Sequence, residues 1–152
     1  MGREFTNVLY AKPLWKYAID VYSENKVEFL HYQDQYQLCV NDLIVLGFCQ
    51  ELKLVPNNYW WHEESTQNLR DIITSLRQLR NSPMNASNRQ IILIVELECE
   101  KMDLEIIASQ FRTSANGSWL IDTYCEAHPQ ASKPKLEKFI TSLKTKKGAE
   151  AP

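Results

Sequence analysis

Glu96, Glu100 and Asp103, together with Arg77 and Arg80, are the residues whose types and spacing could do chemistry. At about 100° per residue, the three acids share one helical strip beside an apolar stripe. Carboxylates in a row repel unless cations answer them. Arg77 and Arg80 lie on the preceding helix and can pair with them through two parallel hydrogen bonds, so an arginine–carboxylate clasp between two antiparallel helices is expected. The competing reading leaves Arg70 and Arg77 at the border of the apolar arc with their stems along the surface, and gives Arg80 a role at a helix C-terminus. A metal site is the sharper alternative. Helical carboxylate sites usually add Glu-x-x-His, which the chain lacks, and no metal is expected.

A second constellation is Leu30-His31-Tyr32-Gln33-Asp34, followed by Val40-Asn41. Amide and carboxylate groups inside core-like segments are costly to bury unless paired. His31 stands one turn from Asp34, a pairing that can poise a proton acceptor. The structural alternative has Asp34 accepting from a buried arginine and Asn41 capping a helix. Tyr59-Trp60-Trp61 could stack a ligand, yet aromatics just before a helix more often staple its entry to the core. No Gly-x-Ser-x-Gly, Gly-rich phosphate loop or His-Glu-x-x-His is present, and no cofactor is expected.

These groups need helices to position them. Pro13 suits the first position of a helix, with Leu14, Ala18, Val21 and Tyr22 recurring at helical spacing. Residues 27–36 and 42–52 read as a second and third helix, both apolar nearly all round and therefore central. Leu54 to Asn58 is turn chemistry, and a fourth helix runs over residues 63–80 with Leu69, Ile72, Ile73, Leu76 and Leu79 as its apolar arc. Residues 89–111 require arbitration between two periods. Val95 to Glu100 alternates like a strand, but Ile92, Val95, Cys99, Met102 and Ile106 sustain a helical stripe over four turns, and the longer pattern decides for helix. Short helices follow over 119–127 and 134–143.

With 152 residues the chain fits one domain. Hydrophobic content of 44%, 24% charge and 11% aromatics describe a globular protein, and a net charge of -2 gives no overall pull toward nucleic acid or anionic membrane. Four scattered cysteines without Cys-x-x-Cys read as reduced core thiols. No signal peptide or eighteen-residue apolar run occurs, so a cytoplasmic location is expected. Asn85-Ala86-Ser87 and Asn116-Gly117-Ser118 then read as chance matches to a glycosylation acceptor.

Leu14-Trp15 with Tyr22 and Val27, Leu30-x-x-Gln33-Asp34, Val40-Asn41, Leu76-Arg77-x-x-Arg80 and Glu96-Leu97-x-x-Glu100, in that order and spacing, resemble a family of small bacterial cytoplasmic proteins of unknown function. The resemblance spans residues 13–107. It departs at Asp42, where that family usually has leucine, and at Gln37, where glycine is common. It implies an all-α fold and brings no activity.

The expectation is therefore an all-α, single-domain bundle of five to seven helices. Residues 1–12 form an arm, 13–143 the helical domain including additional C-terminal helices over 118–143, and 144–152 a disordered tail. The polar network or binding site comprises Trp15, His31, Gln33, Asp34, Asn41, Arg77, Arg80, Glu96 and Glu100. A non-catalytic binding or adaptor protein with a protein partner is favoured. The alternative is an enzyme or small-ligand binder using the same network as a pocket, with Asp34 or Glu100 accepting a proton and Arg77 or Arg80 holding an anion.

Overall fold

An apolar run with polar groups only at its ends has to be surrounded on every side, and that is the situation of Leu43 to Cys49. They lie on α3 (Val40–Leu52), in which every residue from Asp42 to Cys49 is buried. The computed structural model describes residues 8–117 and 119–145. Against α3 pack α1 (Ala11–Glu24), α2 (Lys26–Tyr36), α5 (Ala86–Ala108) and α7 (Lys133–Ser142). Outside them, α4 (Glu64–Arg80) packs on α5, and α6 (Trp119–Ala127) packs on α7. Seven α-helices among the described residues make the fold all-α. One hydrophobic cluster joins Leu14 and Val21 of α1, Phe48 of α3, Leu104 of α5, Tyr124 of α6 and Ile140 of α7.

Gly47 sets the closeness of that packing. A Cβ there would lie 2.5 Å from the Tyr17 hydroxyl, which itself donates to the Leu143 carbonyl and ties α1 to the chain after α7. Glycine is required by this contact rather than by backbone conformation. Two non-glycine residues do take left-handed backbone, Gln37 (φ 54°) ending α2 and Lys53 (φ 56°) ending α3. A left-handed helix C-terminus of this kind is the position that glycine takes most readily.

Several expectations need correction. Only Phe29 and Tyr32 of α2 are buried, because Glu28, His31, Asp34 and Gln35 occupy the rest of its circumference, and Val27 is 78% exposed. The second helix is peripheral. Asn41 is no cap: α3 begins two residues earlier than expected, at Val40, and its N-cap is Cys39. Leu54–Pro56 and Phe111–Thr113, expected as a turn and as the end of the fifth helix and the following loop, form two antiparallel strands, β1 and β2. Their register pairs Leu54 with Thr113 and Pro56 with Phe111, and three-residue strands are too short to show a period of two. Trp60 and Trp61 form a buried 3₁₀ turn of their own before α4. The fifth helix starts at Ala86 because Asn85 caps it, its side chain accepting from the Asn88 amide at 2.8 Å.

The largest correction concerns α5. Its apolar stripe faces outward: Val95, Met102 and Ile106 are exposed, while Glu96, Asp103, Leu104, Ile107 and Ala108 are buried. Ion pairing decides the orientation, since carboxylates can face inward once arginines of α4 meet them. The expected disordered tail falls mostly on residues 146–152, and most of the N-terminal arm on residues 1–7, both outside the described residues.

Candidate functional site

Asp42 sits on the first turn of α3 with 2% of its surface exposed, and such a carboxylate persists only if its oxygens are fully engaged. They are. Oδ1 accepts from the Trp60 indole N–H at 2.7 Å and lies 2.8 Å from Nη2 of Arg70. Oδ2 accepts from the Tyr124 hydroxyl at 2.8 Å. Arg70 of α4 also reaches Asp103 of α5, its Nε 3.3 Å and its Nη2 3.1 Å from Oδ2. Asn41 completes the group, its Nδ2 donating to Asp103 Oδ2 at 3.0 Å and to the Glu100 carbonyl at 3.1 Å.

Two aspartates and one guanidinium leave an excess negative charge, which the neutral donors Trp60, Tyr124 and Asn41 disperse. Burial alone would lower the Arg70 pKa; Asp42, Cys39 and Asp103 outweigh it and hold the guanidinium above its ordinary value. Burial first, and then Asp42, pushes the Tyr124 phenol up. Burial likewise pushes the neighbouring Cys39 thiol up to about 12, with Arg70 opposing. That thiol is no nucleophile at neutral pH.

One turn further along the hairpin lies the second cluster. Arg80 donates from Nε to Glu96 Oε1 at 2.7 Å, and Arg77 spans Glu96 Oε2 and Glu100 Oε1, both at 3.3 Å. Glu96 is 3% exposed and therefore depends on both arginines. Burial raises the Glu100 pKa, Arg77 opposes, and Glu96 raises it further.

The structure thus brings together Arg77, Arg80, Glu96 and Glu100, and links Asn41 to them through Asp103 and the Glu100 carbonyl. It does not bring in the α2 residues. Asp34 and His31 are exposed and Gln33 is half-buried. His31 packs edge-on against the Tyr32 and Tyr36 rings, and the Asp34 carbonyl accepts from the Gln37 side chain. These three residues are separate from the network because α2 meets the core through Phe29 and Tyr32, with Tyr36 packed beside them. Trp15 also stands apart, with the Lys101 ammonium 5.5 Å from its ring centroid.

Sequence reasoning missed the centre of the site. Asp42, a carboxylate at the head of a seven-residue apolar run, was itself the signal. Arg70 at the border of its arc gave a weaker one, and Tyr124 gave none. Among the described residues no group of three or more His, Cys, Asp or Glu side chains could hold a metal. A cavity of about 440 Å³ opens elsewhere, beside Cys49, Gln50 and Lys53, with Leu120, Glu137 and Thr141 on its far side, and no residue of either ion-pair cluster lines it.

Residues 13–107 match the model of a family described as "Protein of unknown function (DUF2390)". The chain belongs to this family. No curated protein and no solved structure matches it. The match ends within α5, so the family span supplies Asp42, Arg70 and Asp103 while β2, α6 and α7 lie beyond it. Tyr124, the donor to Asp42 Oδ2, comes from that added part.

Proposed function

We propose that the chain is a non-catalytic protein-binding or adaptor protein of the cytoplasm, docking its partner through the outward side of α4 and α5. One observation carries this reading. Ile72 and Leu79 of α4 and Ile91, Val95, Met102 and Ile106 of α5 are 41–58% exposed, while Glu96 and Asp103 of α5 are turned inward. A contiguous apolar surface of this kind marks an interaction site in a globular protein. The ion-pair clusters then serve as rigid support, locking α4 to α5 so that the surface keeps its shape.

A pocket reading would need Asp34, Arg77, Arg80 and Glu100 to converge on one concavity. Asp34 lies apart on α2, and the other three are engaged with one another and Glu96, which favours support over catalysis. Among the described residues no helix is long and apolar enough to cross a membrane. The free thiols Cys39, Cys49, Cys99 and Cys125 suit a reducing compartment.

The test is a photo-crosslinking amino acid at Val95, compared in living cells with the same probe at Val27, exposed on α2. A protein adduct formed from Val95 and absent from Val27 supports docking through this face. Equal labelling from both positions, or none from Val95, would overturn it.

A further inference from the structure

The outer face of the α4–α5 hairpin fits a copy of itself. We propose that two chains pair through this face about a two-fold axis, so that their hairpins form a four-helix bundle. The inference rests on the docking reading above and names its partner.

The ion pairs fix how the hairpin is turned. Arg70, Arg77 and Arg80 point α4 at α5, and Glu96, Glu100 and Asp103 point α5 back. At about 100° per residue, Leu69, Ile72, Leu76 and Leu79 stand on average about a quarter turn from the mean direction of the three arginines, with Arg80 the nearest to them. Val95, Met102 and Ile106 stand about a quarter turn from the carboxylates. Because the helices run antiparallel, both quarter turns reach the same side of the hairpin. It is the side away from Leu104, Ile107 and Ala108, which enter the core.

Three features of this face point to a second copy. The first is spacing. Leu69, Ile72, Leu76 and Leu79 follow one another by three, four and three residues, and Ile92, Val95, Cys99, Met102 and Ile106 by three, four, three and four. That alternation is the seam helices use to pack alongside other helices at a shallow angle. Within the chain Leu69, Leu76, Ile92 and Cys99 are half-buried, while Ile72, Leu79, Val95, Met102 and Ile106 of the same seams are left exposed.

The second is charge. Apart from the arginines already committed to ion pairs, no charged residue falls on this side of either helix; Asp71, Glu98 and Glu105 stand only at its edges. Depletion of charge at the centre with charge at the rim is the composition of an interface core. An uncharged centre also meets its own copy without repulsion, and gives a strongly basic partner nothing to pair with.

The third is size. Helices of 17 and 23 residues are about 25 and 35 Å long, and side by side they present several hundred Å². That approaches the roughly 800 Å² each partner contributes to a standard interface. Two-fold dimers joined by the same patch on both subunits are the commonest assembly.

Sedimentation of the full chain between about 1 and 100 µM, where interfaces of this size associate, tests the proposal. Twice the chain mass is expected. Val95→Asp, Met102→Lys and Ile72→Asp, each at an exposed position, should keep the helical circular dichroism spectrum and raise the dissociation constant by roughly a hundredfold or more. Val27→Asp on α2 should leave the dimer intact. A monomeric wild type across that range, or face variants that dimerise like wild type, overturns the proposal. The crosslinker at Val95 keeps the two readings separable. A monomeric wild type with a Val95 adduct to a different protein ends the dimer and leaves docking standing, whereas a monomer with no Val95 adduct ends both.

Discussion

Arg70 of α4 forks onto Asp103 of α5 while its Nη2 also stands 2.8 Å from Asp42 of α3, so one guanidinium joins three helices. Removing it strands two carboxylates that are 1–2% exposed. Arg70→Ala should therefore cost about 3–5 kcal/mol, the range for breaking a buried pair from one side. Arg70→Lys should recover little of it, because an ammonium cannot reproduce the planar fork. Arg80→Ala should cost less, about 1–3 kcal/mol, since Glu96 keeps Arg77 and the Arg80 side chain is 26% exposed. Urea titration of the three variants measures the order. Arg80→Ala exceeding Arg70→Ala would place the structural centre at the wrong cluster.

What was legible in the sequence follows the range of the interactions involved. The fourth helix, expected over 63–80 and observed at Glu64–Arg80, is set by local periodicity and turn residues at both ends. The pairing of Arg77 and Arg80 with Glu96 and Glu100 was legible too, because hairpin neighbours have few other partners within reach. Which side of α5 faces inward was not. Periodicity finds an apolar stripe, but the ion pairs outbid it for the interior. Asp42 was read as a departure from a family pattern because its donors Trp60, Arg70 and Tyr124 lie 18, 28 and 82 positions further along the chain. The α2 residues erred the other way, since a charge near apolar neighbours in sequence gives no sign that the helix lies at the edge.

Gln37 offers a stabilising change. Its φ of 54° places a side-chain-bearing residue in the left-handed region, where glycine carries no steric penalty. Gln37→Gly should gain about 1 kcal/mol, less whatever the exposed bond from its side chain to the Asp34 carbonyl contributes. A rise in the urea midpoint at unchanged slope is the expected result. A fall would mean that this bond outweighs the backbone strain.

Glu100 should leave a signature in the pH dependence of stability. Burial raises its folded-state pKa above the ordinary 4.5, so between 4.5 and the raised value the folded chain holds a proton that the unfolded chain has released. Stability attributable to this group is full below about 4.5 and declines as pH rises through that window. Glu100→Gln keeps an acceptor for Arg77 and removes the titration. It should flatten the decline and cost little at pH 7, whereas Glu96→Gln, which withdraws a buried charge from two arginines, should be clearly destabilising. Parallel pH profiles for wild type and Glu100→Gln above pH 4.5 would contradict the assignment.

The bond from Tyr124 to Asp42 Oδ2 couples α6 to the family span. Tyr124→Phe keeps the ring, and with it the stacking on His128 at 4.0 Å and the edge contact with Trp61 at 5.1 Å. Only the hydroxyl is lost, leaving a buried carboxylate oxygen short of a partner, for an expected cost of about 1–3 kcal/mol. The same loss caused by ring packing alone would not depend on Asp42. A double-mutant cycle with Asp42→Asn separates the two, because Tyr124→Phe should cost much less once the carboxylate is an amide. Additive costs in that cycle would show that Tyr124 stabilises the chain through its ring, and that α6 is held to the core by packing rather than by the buried aspartate.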